Sequence, residues 1–300
     1  MIVDTTAMEK NIMYPTDSEL LNKARIKLVQ LAQKNGIRLR QNYNRIGRKE
    51  SIKAPRYAHA KQFKRMKKSI QKLRTFLGRV VRDIERKMTE EQEIIFNNLL
   101  DIAKNLLTQT KHSQQKIYSI HERHVYCIAK GKSRKRYEYG NKVSIVVTQE
   151  SGFILSIDVL TTNMYDGHSL KDALKNAEKN SQITIKEVLV DKGYKGHGIK
   201  DKAVYMPSRS KKISPYIKKK MNKRSSIEAR ISTLKREYKM GLNRLRGQLG
   251  DKIHAILCAV AYNFNKLANS LAFATYYLYL LLIYIVKREH SLHYCAVIKI

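Results

Sequence analysis

"NKVSIVVTQESGFILSIDVLT", residues 141 to 161, is where the periodicity of the chain changes. Apolar residues alternate at period two on both sides of Ser151 and Gly152, which predicts two antiparallel strands joined by a tight turn. Before it the period is helical. "YPTDSELLNKARIKLVQLAQKNG" opens on a capping box, Thr16 to Glu19, and closes at Gly36. "RLRQNYNRIGRKE" reads as an irregular segment, and "AKQFKRMKKSIQKLRTFLGRVVRDIERKM" and "TEEQEIIFNNLLDIAKNLLTQT" predict two long helices. A short β-branched run, "IVDTT", precedes them all and reads as a strand ending near Asp4.

After the hairpin, "DGHSLKDALKNAEKN" predicts a helix, "KEVLVDKGY" a buried strand with Asp191 at its polar end, and "AVYMPS" a short strand. A cationic loop, "RSKKISPYIKKKMNKR", leads into a helix at "RSSIEARISTLK", residues 224 to 235. The order is strand, helical insert, two antiparallel strands, helix, strand, short strand, helix. It is the α/β arrangement of a mixed sheet with helices on its faces and acidic residues projecting from strand ends.

Composition sets the partner class. The 300 residues are 43% hydrophobic with only four prolines, enough to bury a core. Lys and Arg number 60 against 25 Asp and Glu, a formal net charge of +35 spread along the chain, and such a field attracts a polyanion, most commonly nucleic acid. Cys127, Cys258 and Cys295 form no CxxC pair, which argues against a disulfide framework or zinc site and for a reducing, cytoplasmic setting. "MIVDTTAMEK" lacks the pattern of a secretory signal. Leu267 to Val286 has no charged residue and is long enough for one bilayer crossing, but Asn269, Ser270 and Thr275 dilute it, and a buried terminal helix or a tail without structural design is expected instead of a membrane span.

One carboxylate stands out in the basic C-terminal third. At 100° per residue Arg224 and Lys235 fall within about 40° of Glu228, beside a buried stripe of Ile227, Ile231, Leu234 and Tyr238. An exposed Arg224–Glu228 pair by itself explains such a placement. Metal-assisted phosphoryl transfer gives another reading: it needs hard cations held by carboxylates from different elements, and magnesium, which keeps several waters, is satisfied by two or three. Asp4 and Asp191, at the ends of two strands, could face one site, and with Glu228 they are the three acids expected there.

These motifs resemble those of the DDE transposases of bacterial insertion sequences, close to the insertion sequence five group. "VDTT" with Asp4 looks like the first-acid motif, and "VDKGYKGHG" with Asp191, Gly193 and Tyr194 like the second. Arg224, Glu228 and Lys235 fit the spacing of the third, and "YPTDSELL", "CIAKGK", "YDGHSL" and "MGLNRLRG" are similar to stretches these proteins carry. The resemblance runs from residue 1 to about 270. It implies a ribonuclease-H-like mixed sheet with flanking helices and a helical insertion after the first strand. It also implies a core over 1–270: first strand 1–10, helical insertion 16–112, main sheet and catalytic helix 113–250, C-terminal helix 251–270. A hydrophobic tail, 271–300, lies outside the family pattern.

The chemistry so implied is metal-dependent DNA cleavage and strand transfer, in which water and then a freed 3′-hydroxyl attack phosphodiesters at transposon ends and target DNA. Asp4, Asp191 and Glu228 would hold two Mg²⁺ or Mn²⁺ ions, Lys235 would meet a phosphate, and Arg224 would steady the acid or the backbone. Active proteins of this kind are expected to be homo-oligomers. Lys130, Lys132, Lys135 and Arg136, beside Tyr137 and Tyr139, suit phosphate contact as well as they suit a solvated loop. The pair in "HERH", His121 and His124, lacks further ligands for zinc, and Asp166 reads as a helix N-cap.

The chain departs from the pattern at Met221, which stands where the signature has Tyr, and at its start, three residues before Asp4. A strand so short before its acid is expected to pair weakly, and the chain reads as an N-terminally truncated copy of reduced or absent activity. Its rivals are a non-catalytic, basic DNA-binding or regulatory fragment, and a nuclease of the same fold that nicks without joining.

Overall fold

The structure, a computed structural model, describes residues 1–110, 112–129, 136–207 and 214–297, with the side chains of 284–297 left aside. The chain divides into two compact units, one of Met1–Met8 with Lys142–Ile300 and one of Glu9–Asn141.

In the first unit the period-two pattern becomes a sheet with two different faces. Strands β1 (Ile2–Lys10) and β3 (Tyr137–Val147) each continue into the other unit. β4 (Ile154–Val159) pairs antiparallel with the second half of β3, and β5 (Glu187–Leu189) runs parallel to β1, with β6 (Ala203–Tyr205) parallel to β5. β7 (Leu242–Asn243) pairs with β1, which lies between β3 and β5, and β2 (Tyr126–Ala129) belongs to the other unit.

Alternate residues feed two cores. Val3, Val146, Val188 and Val190 pack with Leu170, Ala173, Leu174 and Ala177 of α5 (Asp166–Ser181). Ile2, Ile145, Val147 and Leu189, one residue out of phase, pack with Ile227 and Leu234 of α7 (Ser226–Arg236) and with Ala255, Cys258 and Ala259 of α8 (Gly247–Val297). The sheet is thus covered on both faces, as parallel pairing requires. Met221 is half-buried against the second of these cores, so the methionine acts there as packing.

The first strand does not end near Asp4. β1 runs nine residues, gaining its length beyond the acid, and its start is tied down by the Met1 ammonium on the Glu187 carbonyl at 2.7 Å and by Leu189 N–H on the Met1 carbonyl at 2.8 Å. The cationic segment before Glu228 is also a helix over part of its length. α6 (Pro215–Arg224) starts with Pro215 at its first position and Ser214 accepting from Ile217 N–H, though residues 208–213 lie outside the described set. α6 buries no residue, which explains why it shows no apolar period.

The second unit is helical: α1 (Asp17–Lys34), α2 (Asn44–His59), α3 (Phe63–Glu85) and α4 (Glu90–Thr108), followed by β2 paired with the first residues of β3. Leu28, Leu77, Ile84, Phe96 and Leu106 lie at the centre of its core. α2 replaces the irregular segment expected around "RLRQNYNRIGRKE". Its inner face is Gly47, Glu50, Ser51 and Ala54, small or polar residues that leave no hydrophobic periodicity to read. Arg25 substitutes for apolar packing: nearly fully buried, it donates to the Asn42 carbonyl at 2.6 Å and to Asn44 Oδ1 at 2.7 Å.

α8 corrects the expectation of a buried terminal helix. The helix is continuous through Val297, and its stretch Gly247–Ile283 is long and apolar enough to cross a membrane by length and composition alone, yet none of its most apolar window is buried. Near its start it buries Ala255 and Cys258, whereas Phe273, Tyr277 and Leu282 are exposed.

Candidate active site

The site follows from strand register. Ile2 on β1 stands opposite Leu189 on the parallel β5. Two residues further along each chain are Asp4 and Asp191, so both acids leave the sheet on the face of Ile2 and Leu189, at the same level. This is the face on which α7 lies, with Ile227 fully buried in the core next to Glu228. The register sets Asp4 and Asp191 on one face, and Ile227 holds the helix that carries Glu228 against that face.

The charges of Asp191 and Glu228 both reach Asp4. Asp4 is pushed up to about 6, first by burial, with the carboxylates of Asp191 and Glu228 adding to the shift and the Thr5 hydrogen bond and the Arg224 guanidinium opposing it. Its Oδ1 accepts from Thr5 N–H at 2.8 Å. Asp191 caps a short 3-10 turn, Lys192–Tyr194, through a 2.6 Å bond from Gly193 N–H to Oδ1. A Cβ at position 193 would lie 2.8 Å from that oxygen and 3.6 Å from Asp166 Oδ2, so glycine lets the turn close on its own cap. Glu228 is two-thirds exposed, and its Oε1 is 3.5 Å from Arg224 Nη2. Arg224 and Glu228 do not share one helix as the spacing suggests: α6 ends at Arg224 and α7 starts at Ser226. Ser225 between them stays in right-handed helical backbone, which preserves the i to i+4 approach.

Two further groups belong to this neighbourhood. Asp166 is the first residue of α5 and not its N-cap, which is Tyr165; it pairs with Lys142 Nζ at 3.0 Å. Tyr194 is wholly buried, and burial first, then the charges of Asp4, Asp166 and Asp191, hold its hydroxyl proton well above the ordinary phenol range. The sequence signal for Asp166 was its place in "YDGH"; its approach to Gly193 depends on how α5 docks and is not readable from spacing.

Among the described residues no group of three or more His, Cys, Asp or Glu is arranged to hold one ion. The donor set nevertheless suits a hard cation that keeps most of its waters, for which one or two carboxylates suffice. Asp4 and Asp191 are two such oxygen donors on one face, and burial first, with the neighbouring carboxylates adding to it, raises the pKa of Asp4.

The other expected site residues are scattered. Lys235 lies in the last turn of α7, about two turns beyond Glu228. Arg136 is exposed just before β3 in the helical unit, and Lys130, Lys132 and Lys135 lie outside the described residues. His124 is 3.3 Å from Glu122, both in the helical unit.

Comparison with known proteins adds an independent line. A family model described as the transposase DDE domain matches residues 107–264, which include Asp191 and Glu228 but not Asp4. An uncharacterized protein of Rhizobium meliloti, ORF8 in the nfe locus, is 52% identical over 61 residues, 20% of this chain and 30% of that protein's length. No solved structure matches.

Proposed function

The chain belongs to the transposase DDE domain family, and from that premise we propose that it cleaves DNA and joins strands in insertion-sequence transposition, with Asp4, Asp191 and Glu228 as its acids. The sheet is read as ribonuclease-H-like: the first acid stands on β1, a helical insertion follows it, and the second acid ends β5 beside β1. The observation that carries the proposal is the shared level and face of Asp4 and Asp191, with the Glu228 charge reaching Asp4.

DDE transposases generally use divalent metal ions. Asp4 and Asp191 would hold one here, with Mg²⁺ or Mn²⁺ as the candidates and Glu228 completing the set for a second. A bound cation would supply Lewis-acid polarisation of a phosphodiester oxygen. The remaining chemistry belongs to the chain's own groups. Arg224 holds Glu228 in place and lowers the negative potential on Asp4. Gly193 N–H fixes the Asp191 carboxylate through one oxygen. Lys235, and the cations of 130–136, would contact backbone phosphates in this reading, which sets the protein on DNA in the cytoplasm as a homo-oligomer.

The test is a supercoiled plasmid carrying the element's ends, incubated with Mg²⁺ or Mn²⁺. The proposal expects nicked and strand-joined products from the parent, and a loss of about a hundredfold or more for Asp191→Asn, the scale of a few kcal/mol of lost charge stabilisation. Salt-sensitive binding with no cutting by the parent would instead make it a basic, non-catalytic DNA-binding protein.

A further inference from the structure

We propose that the helical unit carries a second anion site, a cleft that grips a DNA backbone phosphate well separated along the chain from the three acids. The cleft has a volume of about 270 Å³ and is lined by Arg40, Tyr43, Arg79, Arg82, Asp83 and Arg86. Arg79, Arg82 and Arg86 succeed one another by three and four residues on α3, so they form one exposed cationic edge. Four guanidinium groups and one carboxylate line the cleft, two of the four within ion-pair distance of it, whereas a purely structural ion-pair network would tend to balance.

The cleft is built in advance of any ligand. Asp83, nearly buried, accepts from Arg40 N–H at 2.7 Å and lies 3.4 Å from Arg86 Nη2, which ties the loop to α3. Tyr43 stacks on Phe76 at 4.6 Å with rings 10° from parallel, and its hydroxyl accepts from Arg79 at 3.3 Å. Tyr43 also sits at φ 57°, a left-handed conformation that L side chains rarely adopt and that persists where surroundings impose it. Arg25 imposes it from behind through its bonds to Asn42 and Asn44, the residues on either side. A loop pinned by a buried arginine, presenting a ring and a cation beside three more cations, suits the planar, bidentate capture of phosphate oxygens.

The assignment to DNA rests on the reading of the chain as a transposase; the affinity for phosphate rests on the cleft alone. The probe is a labelled duplex of about 30 base pairs, followed by anisotropy from about 50 to 200 mM salt. Arg79→Gln with Arg82→Gln removes two exposed cations, and the slope of log affinity against log salt should fall by about two. Arg86→Gln alone should lower it by about one. Lys171→Gln with Lys175→Gln, exposed on α5, is the charge-matched control and should change it by less. An unchanged slope in the Arg79/Arg82 variant, or an equal loss in the control, overturns the proposal. Inorganic phosphate that stabilises the parent but not the variant, with unchanged DNA slopes, would make the cleft a free-anion pocket and overturn its assignment to DNA. Failure of the parent to cut plasmid would sink the catalytic reading and leave the slope comparison intact.

Discussion

Asp83 shows how a single buried carboxylate organises a basic surface. Burial alone would raise its pKa, but the Arg40 N–H, the Lys87 ammonium and the Arg40 guanidinium outweigh burial and hold it below the ordinary aspartate value. A carboxylate whose pKa is lowered on folding contributes stability that is complete above its unfolded pKa, near 3.9, and is lost as pH falls through the lower folded value. Asp83→Asn should therefore destabilise the protein by about 1 to 3 kcal/mol at pH 7 and by progressively less below about pH 4, measured by denaturant midpoints. A gap of constant size from neutral to acid pH would show that packing and not charge is what Asp83 contributes. Asp83 also marks a limit of sequence reading. It sits inside the apolar period of α3 as an apparent irregularity, and its partner Arg40 comes from a loop 43 residues away. Asp4, Asp191 and Glu228 stand out in the sequence because each lies in a stretch that resembles a motif of the family. Asp166 was misread as a cap because its side chain turns to Lys142 instead of to its own helix N-terminus.

At the scale of elements, α7 is the one whose burial serves the site. Ile227 and Leu234 are both inaccessible, and Ile227 is the residue before Glu228. Ile227→Ala should cost about 2 to 4 kcal/mol, within the range for deleting a buried aliphatic chain. Ile256→Ala, on the half-exposed side of α8, should cost under about 0.5 kcal/mol. Equal losses in chemical denaturation would mean that α7 is not docked as described. The same contrast explains which elements could be read. The hairpin of β3 and β4, and helices α1, α3, α4 and α5, show periodic apolar residues because one face of each is buried. α2 buries glycine, glutamate, serine and alanine, α6 buries nothing, and β7 has two residues, so none of them leaves a period. The far part of α8 is helical without the tertiary burial that usually sustains a helix, and its lack of a buried face is why the sequence pointed nowhere in particular.

At the scale of the molecule, a net charge of +35 draws the chain to polyanions, but charge alone supplies no chemistry. A reaction needs groups that act on a phosphodiester, and the register of Ile2 with Leu189 sets Asp4 and Asp191, the candidates for it, on one face of the sheet. The sequence could name those acids; it could not show that the register of Ile2 with Leu189 sets them level. The most direct measurement is a Mn²⁺ titration followed by electron paramagnetic resonance, on the parent and on the Asp4→Asn, Asp191→Asn and Glu228→Gln proteins, all without DNA. Convergence predicts that the parent takes up Mn²⁺ and that each substitution weakens uptake by about tenfold or more, the loss expected when one charged ligand is removed from a shared site. Uptake by all three variants equal to that of the parent would contradict it.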